Sequence, residues 1–186
     1  DGAPIVGIVT RLVGQKGIEM ALEAVSFAET MPFRLVILGS GERWIADYAR
    51  HVAGGHPDSL WFHDGYDVAL GHKIFAGADL LLMPSRFEPC GLAQMQAMEY
   101  GTIPVVTAVG GLRDTVFDAD RYLRTGTGFV AASVDTAGVV DALHRAVRAW
   151  KHTQRRTAIQ KRGMAVDWSW SEPARHHIEL YKSILA

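Results

Sequence analysis

Short apolar runs alternate along the chain with stretches at helical spacing. Ile5-Val6-Gly7-Ile8-Val9 reads as a strand, and from Gly17 to about Ala28 the residues Ile18, Leu22 and Val25 recur at helical intervals. Leu35-Val36-Ile37-Leu38 is a second strand, with Gly39-Ser40-Gly41 expected to close it as a turn and Glu42 to about Ala53 to follow as a helix. Leu60-Trp61-Phe62 is a short third strand. A helix near Asp67–Ala76 precedes a fourth strand, Leu80-Leu81-Leu82-Met83. Leu92 to Tyr100 reads as a helix that Gly101 stops, with Pro104 shortly after. Val105-Val106-Thr107 is a fifth strand and Phe129-Val130 a candidate sixth. From Asp135 onward the pattern is mostly helical. Ser171 is expected to cap the last helix, with Pro173 in its first turn, where a missing N–H costs little.

These strands are almost wholly apolar instead of alternating. Strands of that kind are covered on both faces, as in a parallel sheet wrapped by helices. The expected fold is α/β: a Rossmann-like, doubly wound parallel sheet with helices on both faces. No internal repeat, low-complexity segment or linker divides the chain, and 186 residues suit a single domain. Ligands on such sheets bind beyond the carboxyl ends of the strands. The post-strand loops are therefore where chemistry is expected.

Three of these loops stand out. Thr10-Arg11-Leu12-Val13-Gly14-Gln15-Lys16-Gly17 puts two cations at the mouth of the sheet, before a helix N-terminus. Oriented N–H groups favour an anion there, and Arg11 and Lys16 could neutralise a diphosphate; two plain surface cations are the other reading. Pro84-Ser85-Arg86-Phe87-Glu88-Pro89-Cys90-Gly91-Leu92-Ala93 sets a carboxylate past a buried strand and a glycine at a helix start. That arrangement could hold a sugar at Glu88 and a phosphate at the helix start, or be an ordinary helix-entry loop with an exposed Glu. Ala108-Val109-Gly110-Gly111-Leu112-Arg113-Asp114-Thr115 offers close backbone approach at Gly110 and Gly111, or is an ordinary βα turn.

Composition narrows the function classes. The chain is 48% apolar and 21% charged, as globular proteins are, and its net charge of −1 gives no electrostatic footprint for nucleic acid. The richest basic stretch, Arg155, Arg156, Lys161 and Arg162, reads as the solvated face of a helix. The lone cysteine, Cys90, cannot form an internal disulfide, which suits a reducing compartment. No apolar run approaches the roughly eighteen residues of a membrane span. No signal peptide opens the chain; it starts at Asp1 without a methionine and is read as an excised domain. A P-loop motif is absent, as are the His-Glu-x-x-His and paired Cys-x-x-Cys patterns of zinc sites. His176 and His177 are adjacent on a helix and face different ways, which suits surface or packing roles.

Taken together, the motifs resemble those of starch and glycogen synthases. Thr10–Gly17 is similar to that family's Arg-Leu-x-x-Gln-Lys-Gly segment, and Ser85–Leu92, Ser-Arg-Phe-Glu-Pro-Cys-Gly-Leu, to its donor-site signature. Tyr100-Gly101-Thr102-Ile103-Pro104, Gly110-Gly111-Leu112-Arg113-Asp114-Thr115 and Asp167-Trp168-Ser169-Trp170 follow in the family's order, so the resemblance covers essentially the whole chain. It implies a GT-B fold, of which this chain is the C-terminal, donor-binding half. A last helix at about 171–185 is then expected to pack on a missing N-terminal domain. In the fragment alone its stripe of Ile178, Tyr181 and Leu185 is expected to lie exposed, to fold back, or to pair with another copy, with some self-association.

The implied reaction moves glucose from ADP-glucose or UDP-glucose to the non-reducing end of an α-1,4-glucan. Configuration is retained, and no metal or other cofactor takes part. Arg11 and Lys16 are implied to stabilise the leaving diphosphate and Glu88 to sit beside the donor glucose. The backbone N–H groups of Gly91, Leu92 and Ala93 are implied to hold phosphate or sugar, with Cys90, Gly110 and Gly111 also at the substrate site. Tyr66, after the third strand, looks like the base-stacking residue, with a half-buried loop aromatic as its alternative. Many retaining GT-B members carry Glu-x7-Glu with the second carboxylate on the ribose; here that position is Gln96, which can still hydrogen-bond a ribose hydroxyl. Bacterial cytoplasm and plastid stroma both fit. Two alternatives stay open: a related GT-B enzyme with a small acceptor, such as a sucrose- or trehalose-related synthase, and a non-catalytic module that binds nucleotide or glucan.

Overall fold

The computed structural model describes residues 2–28 and 30–185. Six parallel strands form one sheet: β1 (Ile5–Leu12), β2 (Arg34–Gly41), β3 (Leu60–Asp64), β4 (Leu80–Met83), β5 (Ile103–Thr107) and β6 (Phe129–Ala131). Their order is β3-β2-β1-β4-β5-β6. The helices are α1 (Ile18–Ala24), α2 (Arg43–Gly55), α3 (Val68–Gly77), α4 (Ala93–Glu99), α5 (Gly110–Thr115), α6 (Thr136–Lys151), α7 (Thr153–Met164) and α8 (Ser171–Leu185). The expected doubly wound α/β fold is what the chain adopts.

Strand alternation divides the core between the two faces. Val6 and Ile8 of β1, Leu80 and Leu82 of β4 and Val105 of β5 face one way, into a cluster with residues of α1, α2 and α6. Their sheet neighbours Val9, Leu81 and Met83 face the other way, toward Phe75 of α3 and Ala97 of α4. Helix α6 turns Val139, Ala142, Leu143, Ala146 and Val147 inward at three- and four-residue spacing. Asp67 and Asp135 cap α3 and α6 by accepting the N–H groups of Leu70 and Gly138, at 2.9 and 2.8 Å. Such caps stabilise a helix by about 1 kcal/mol.

Several local expectations are corrected. β1 does not stop at Val9; it stays paired with β2 through Leu12, so Thr10 and Arg11 are strand residues. Gly39-Ser40-Gly41 is accordingly no turn but the end of β2, with Gly39 opposite Thr10 and Gly41 opposite Leu12. The first helix ends at Ala24 and passes into a 3₁₀ turn, Val25–Phe27. Ser171 is the first residue of α8 instead of its cap: the Trp170 carbonyl already accepts from the Ala174 N–H at 2.8 Å.

The basic stretch is not a solvated face either. Arg155 pairs with Asp120, Arg156 lies 5.1 Å from the Trp150 ring centre, and Arg162 donates to the carbonyls of Gly126 and Leu123. Lys161 is the exposed one of the four. Together with Arg145, which bridges Asp118, Asp120 and Asp141 and donates to the Val130 carbonyl, Arg155 and Arg162 pin the 116–128 connection to α6 and α7, while Arg156 ties α7 to α6. A charge pattern cannot tell a solvated helix face from one that grips a neighbouring loop.

Helix α8 buries none of its side chains. Ile178, Leu180, Tyr181, Ile184 and Leu185 are all exposed, so in this chain the apolar stripe does not fold back onto the sheet. No helix among the described residues is long and apolar enough to cross a membrane.

Candidate functional site

The strand order reverses direction between β1 and β4. In an open parallel sheet, neighbouring connections leave such a point toward opposite faces and open a crevice at the carboxyl edge. Bordering this crevice are the end of β1, which carries Arg11, the loop after it, which carries Lys16, and the loop after β4, Ser85 to Gly91.

Backbone contacts lock these loops together. The Arg86 N–H donates to the Gln15 carbonyl at 2.8 Å, and the Gln15 side chain donates to the Phe87 carbonyl at 2.8 Å. Arg86 also pairs with Glu19 of α1. Gly17, at φ 61°, lies so close to the second loop that a Cβ would fall 2.1 Å from the Pro84 carbonyl oxygen. A glycine is needed there both for its left-handed backbone and for the space.

This stitching delivers Lys16 to Glu88. Their side chains form an ion pair and are only 14% and 8% exposed. The Ser85 hydroxyl adds a longer contact to the same carboxylate oxygen at 3.4 Å. Lys16 and Glu88 are thus each other's partner. Glu88 is not the exposed carboxylate of an ordinary helix-entry loop, and Lys16 is not a free surface cation.

The third loop meets the second backbone to backbone. The Gly111 N–H donates to the Glu88 carbonyl at 3.0 Å. A Cβ on Gly110 would lie 1.9 Å from the Glu88 carbonyl oxygen, and one on Gly111 would lie 1.8 Å from that of Cys90. The close approach expected of this glycine pair is therefore made to the chain's own backbone, and it fixes where Glu88 sits. Leu92 is the residue before α4, Cys90 and Leu92 are exposed, and Ala93 is the first helical residue.

Beside this junction lies a pocket of about 370 Å³, within the usual range for small-molecule sites. Arg11, Tyr66 and Gln96 line it, with the Gly39-Ser40 strand end, His72 and Phe75. Tyr66 is 88% exposed, so its ring face is open, which removes the half-buried alternative. Lys16 lines a smaller cleft that shares Val9 and Thr10 with the pocket. The predicted site residues thus fall into two adjoining groups: Arg11, Tyr66 and Gln96 in the pocket, and Lys16, Glu88, Cys90, Gly91, Gly110 and Gly111 at the loop junction. Among the described residues no group of three or more His, Cys, Asp or Glu is placed to hold a metal ion.

Residues 1–163 match the family of glycosyl transferases group 1. The chain belongs to that family. It is 44% identical over 183 residues to a glycogen synthase of Halorhodospira halophila, a match that covers 98% of this chain and 38% of that protein. It superposes with a TM-score of 0.89 and 35% identity on the catalytic domain of starch synthase IV from Arabidopsis thaliana bound to ADP and acarbose, covering 98% of this chain and 38% of that one. A sucrose-phosphate synthase from Thermosynechococcus elongatus is more distant, at 26% identity and a TM-score of 0.70, covering 98% of this chain and 46% of that one. The chain thus spans about two fifths of the length of the glycogen synthases it matches.

Within this group 1 glycosyl transferase domain, two pocket-lining features and one residue buried behind the site escaped sequence reasoning. Gly39-Ser40 reaches the pocket because β2 runs longer than its apolar residues do. His72, on α3, contacts the Tyr100 hydroxyl at 3.2 Å at the pocket wall. Gln94 is wholly buried behind the Cys90-Gly91 loop. A polar residue on a short helix carries no sequence signal of burial; only the packing reveals it.

Proposed function

We propose that this chain is the donor-binding half of a retaining glucosyltransferase. It would transfer glucose from ADP-glucose or UDP-glucose to the non-reducing end of an α-1,4-glucan. The observation that carries the reading is the buried Lys16–Glu88 pair at the strand-order reversal, beside a pocket faced by Arg11 and Tyr66. The ADP in the Arabidopsis starch synthase and the high identity to glycogen synthases support it.

In this reading Tyr66 stacks on the base, and Gln96 takes a ribose hydroxyl. Arg11 lies on the path from the pocket toward the diphosphate. Donor binding separates Lys16 from Glu88: the ammonium turns to the diphosphate, and the carboxylate is freed for the glucose hydroxyls and the positive charge that grows at the reacting carbon. Cations fixed where negative charge develops on the leaving group act most strongly in the transition state. The N–H groups of Gly91, Leu92 and Ala93 complete the phosphate and sugar contacts, with Cys90, Gly110 and Gly111 around them. No metal or other cofactor is required. The glucan acceptor lies against an N-terminal domain of the same protein, onto which the exposed face of α8 packs. A reducing compartment, bacterial cytoplasm or plastid stroma, suits the single cysteine.

Calorimetric titration of the chain with ADP and with UDP, with chelator present, tests this assignment. Binding of ADP weakened by Tyr66→Ala supports an ADP-glucose enzyme, and a preference for UDP keeps the site and changes the donor. If the full-length protein binds neither, or transfers no glucose to glycogen from either donor, the catalytic reading falls and a non-catalytic module remains.

A further inference from the structure

Gln94, the second residue of α4, is fully buried. A glutamine side chain offers two N–H donors and one carbonyl acceptor. The Gln94 amide nitrogen faces three acceptors: the Gly91 carbonyl at 2.7 Å, the Thr115 hydroxyl at 3.1 Å and the Cys90 carbonyl at 3.4 Å. Those oxygens decide the orientation of the amide, because the reverse would set its own oxygen against two carbonyls. Thr115 in turn donates to the Gly111 carbonyl at 2.6 Å. A continuous link therefore runs from the Gly91 peptide through Gln94 and Thr115 to the Gly111 peptide. On its other side Gly111 holds the Glu88 carbonyl through its N–H.

Two further facts bear on what this link does. Gly91 has φ 75°, and a Cβ there would lie 2.6 Å from Gln94 Oε1, so the glutamine occupies the space that makes residue 91 a glycine. Gln94 Oε1 is buried without a hydrogen-bond partner. A buried acceptor left unpaired costs stability, and an apolar side chain of the same shape would avoid that cost.

We propose that Gln94 is a positioning residue for the donor site. Its amide sets the Cys90-Gly91-Leu92 peptides against Glu88 and the 110–115 turn, and so aligns the sugar-phosphate end of the donor. It leaves the nucleoside end alone, since the pocket around Tyr66 is lined by Gln96 and not by Gln94. The proposal rests on the donor-site reading above.

The test uses the full-length protein and Gln94→Met, which keeps the shape and removes the hydrogen bonds. The expected result is a fall in kcat for glucose transfer of roughly 10- to 100-fold, with the inhibition constant of adenosine monophosphate, or of uridine monophosphate if UDP-glucose is the donor, changed less than about threefold. Misplaced peptide groups cost the reaction far more than they cost nucleoside binding. Thr115→Val should produce the same split more weakly and Thr115→Ser less again, and this pair carries the test if Gln94→Met does not fold. An active wild type with kcat unchanged in Gln94→Met overturns the proposal alone, as does an equal loss of transfer and nucleoside monophosphate binding. An inactive wild type overturns the donor-site reading and the proposal together.

Discussion

Lys16→Met should destabilise the domain by about 3–5 kcal/mol, because it leaves the Glu88 carboxylate buried without its partner. The two side chains are only 14% and 8% exposed, so water cannot replace the lost ammonium. In a domain of 186 residues each kcal/mol shifts the melting temperature by about 2–4 °C, which puts the expected drop at roughly 6–20 °C. Glu88→Gln should be destabilising for the mirror reason, a buried ammonium facing a neutral amide. The double variant Lys16→Met/Glu88→Gln removes both charges and should recover much of the loss. Urea denaturation of the four proteins measures the coupling, expected to exceed about 1 kcal/mol for a contacting buried pair. Additivity within about 0.5 kcal/mol would mean that the two groups do not interact in solution, and the argument that donor binding must separate them would fail.

Other outcomes follow from the same geometry. Burial raises the Asp118 pKa, but the Val130 N–H and the Arg145 guanidinium outweigh it and hold the carboxyl below its ordinary 3.8; Asp120 is lowered likewise against burial by Arg155 and Arg145. A lowered folded pKa contributes stability that is present above the unfolded value and lost as pH falls through the folded one. Arg145→Met should therefore cost about 2–4 kcal/mol at pH 7 and progressively less below about pH 4, and a deficit that stays constant from pH 7 to 3 in urea titrations would refute this. Gly111→Ala places a methyl where the Cys90 carbonyl oxygen is 1.8 Å away, so the two loops must part; transfer by the full-length protein should fall at least about tenfold, and unchanged kinetics would mean the loops are free to move. The exposed Ile178, Tyr181 and Leu185 of α8 should drive self-association of this chain, and a monomeric sedimentation profile at high concentration would count against that.

Much of the fold was readable because its signals are local. Apolar runs too continuous for a half-exposed sheet marked the buried parallel strands, and residues such as Asp67 and Asp135 stand where helices need acceptors for free N–H groups. The errors came where a neighbour overrides local preference. Gly39-Ser40-Gly41 looks like a turn, yet pairing with β1 carries it on as strand. Arg155, Arg156 and Arg162 look solvated, yet the 116–128 connection gives Arg155 and Arg162 partners and Trp150 of α6 gives Arg156 one.

For the site, the sequence by itself showed which loops follow strands and offered Arg11, Lys16, Glu88 and Tyr66 as the candidates to meet phosphate, sugar and base. Which of these meet was decided by tertiary structure alone. Lys16 and Glu88 are 72 residues apart and touch because β4 docks beside β1. Gly110 and Gly111 are small for the sake of Glu88 and Cys90, and Gln94 is buried because two loops converge on it. Strand order, loop-to-loop contact and the burial of a polar side chain depend on elements far apart in the chain, and no local pattern of residues encodes them.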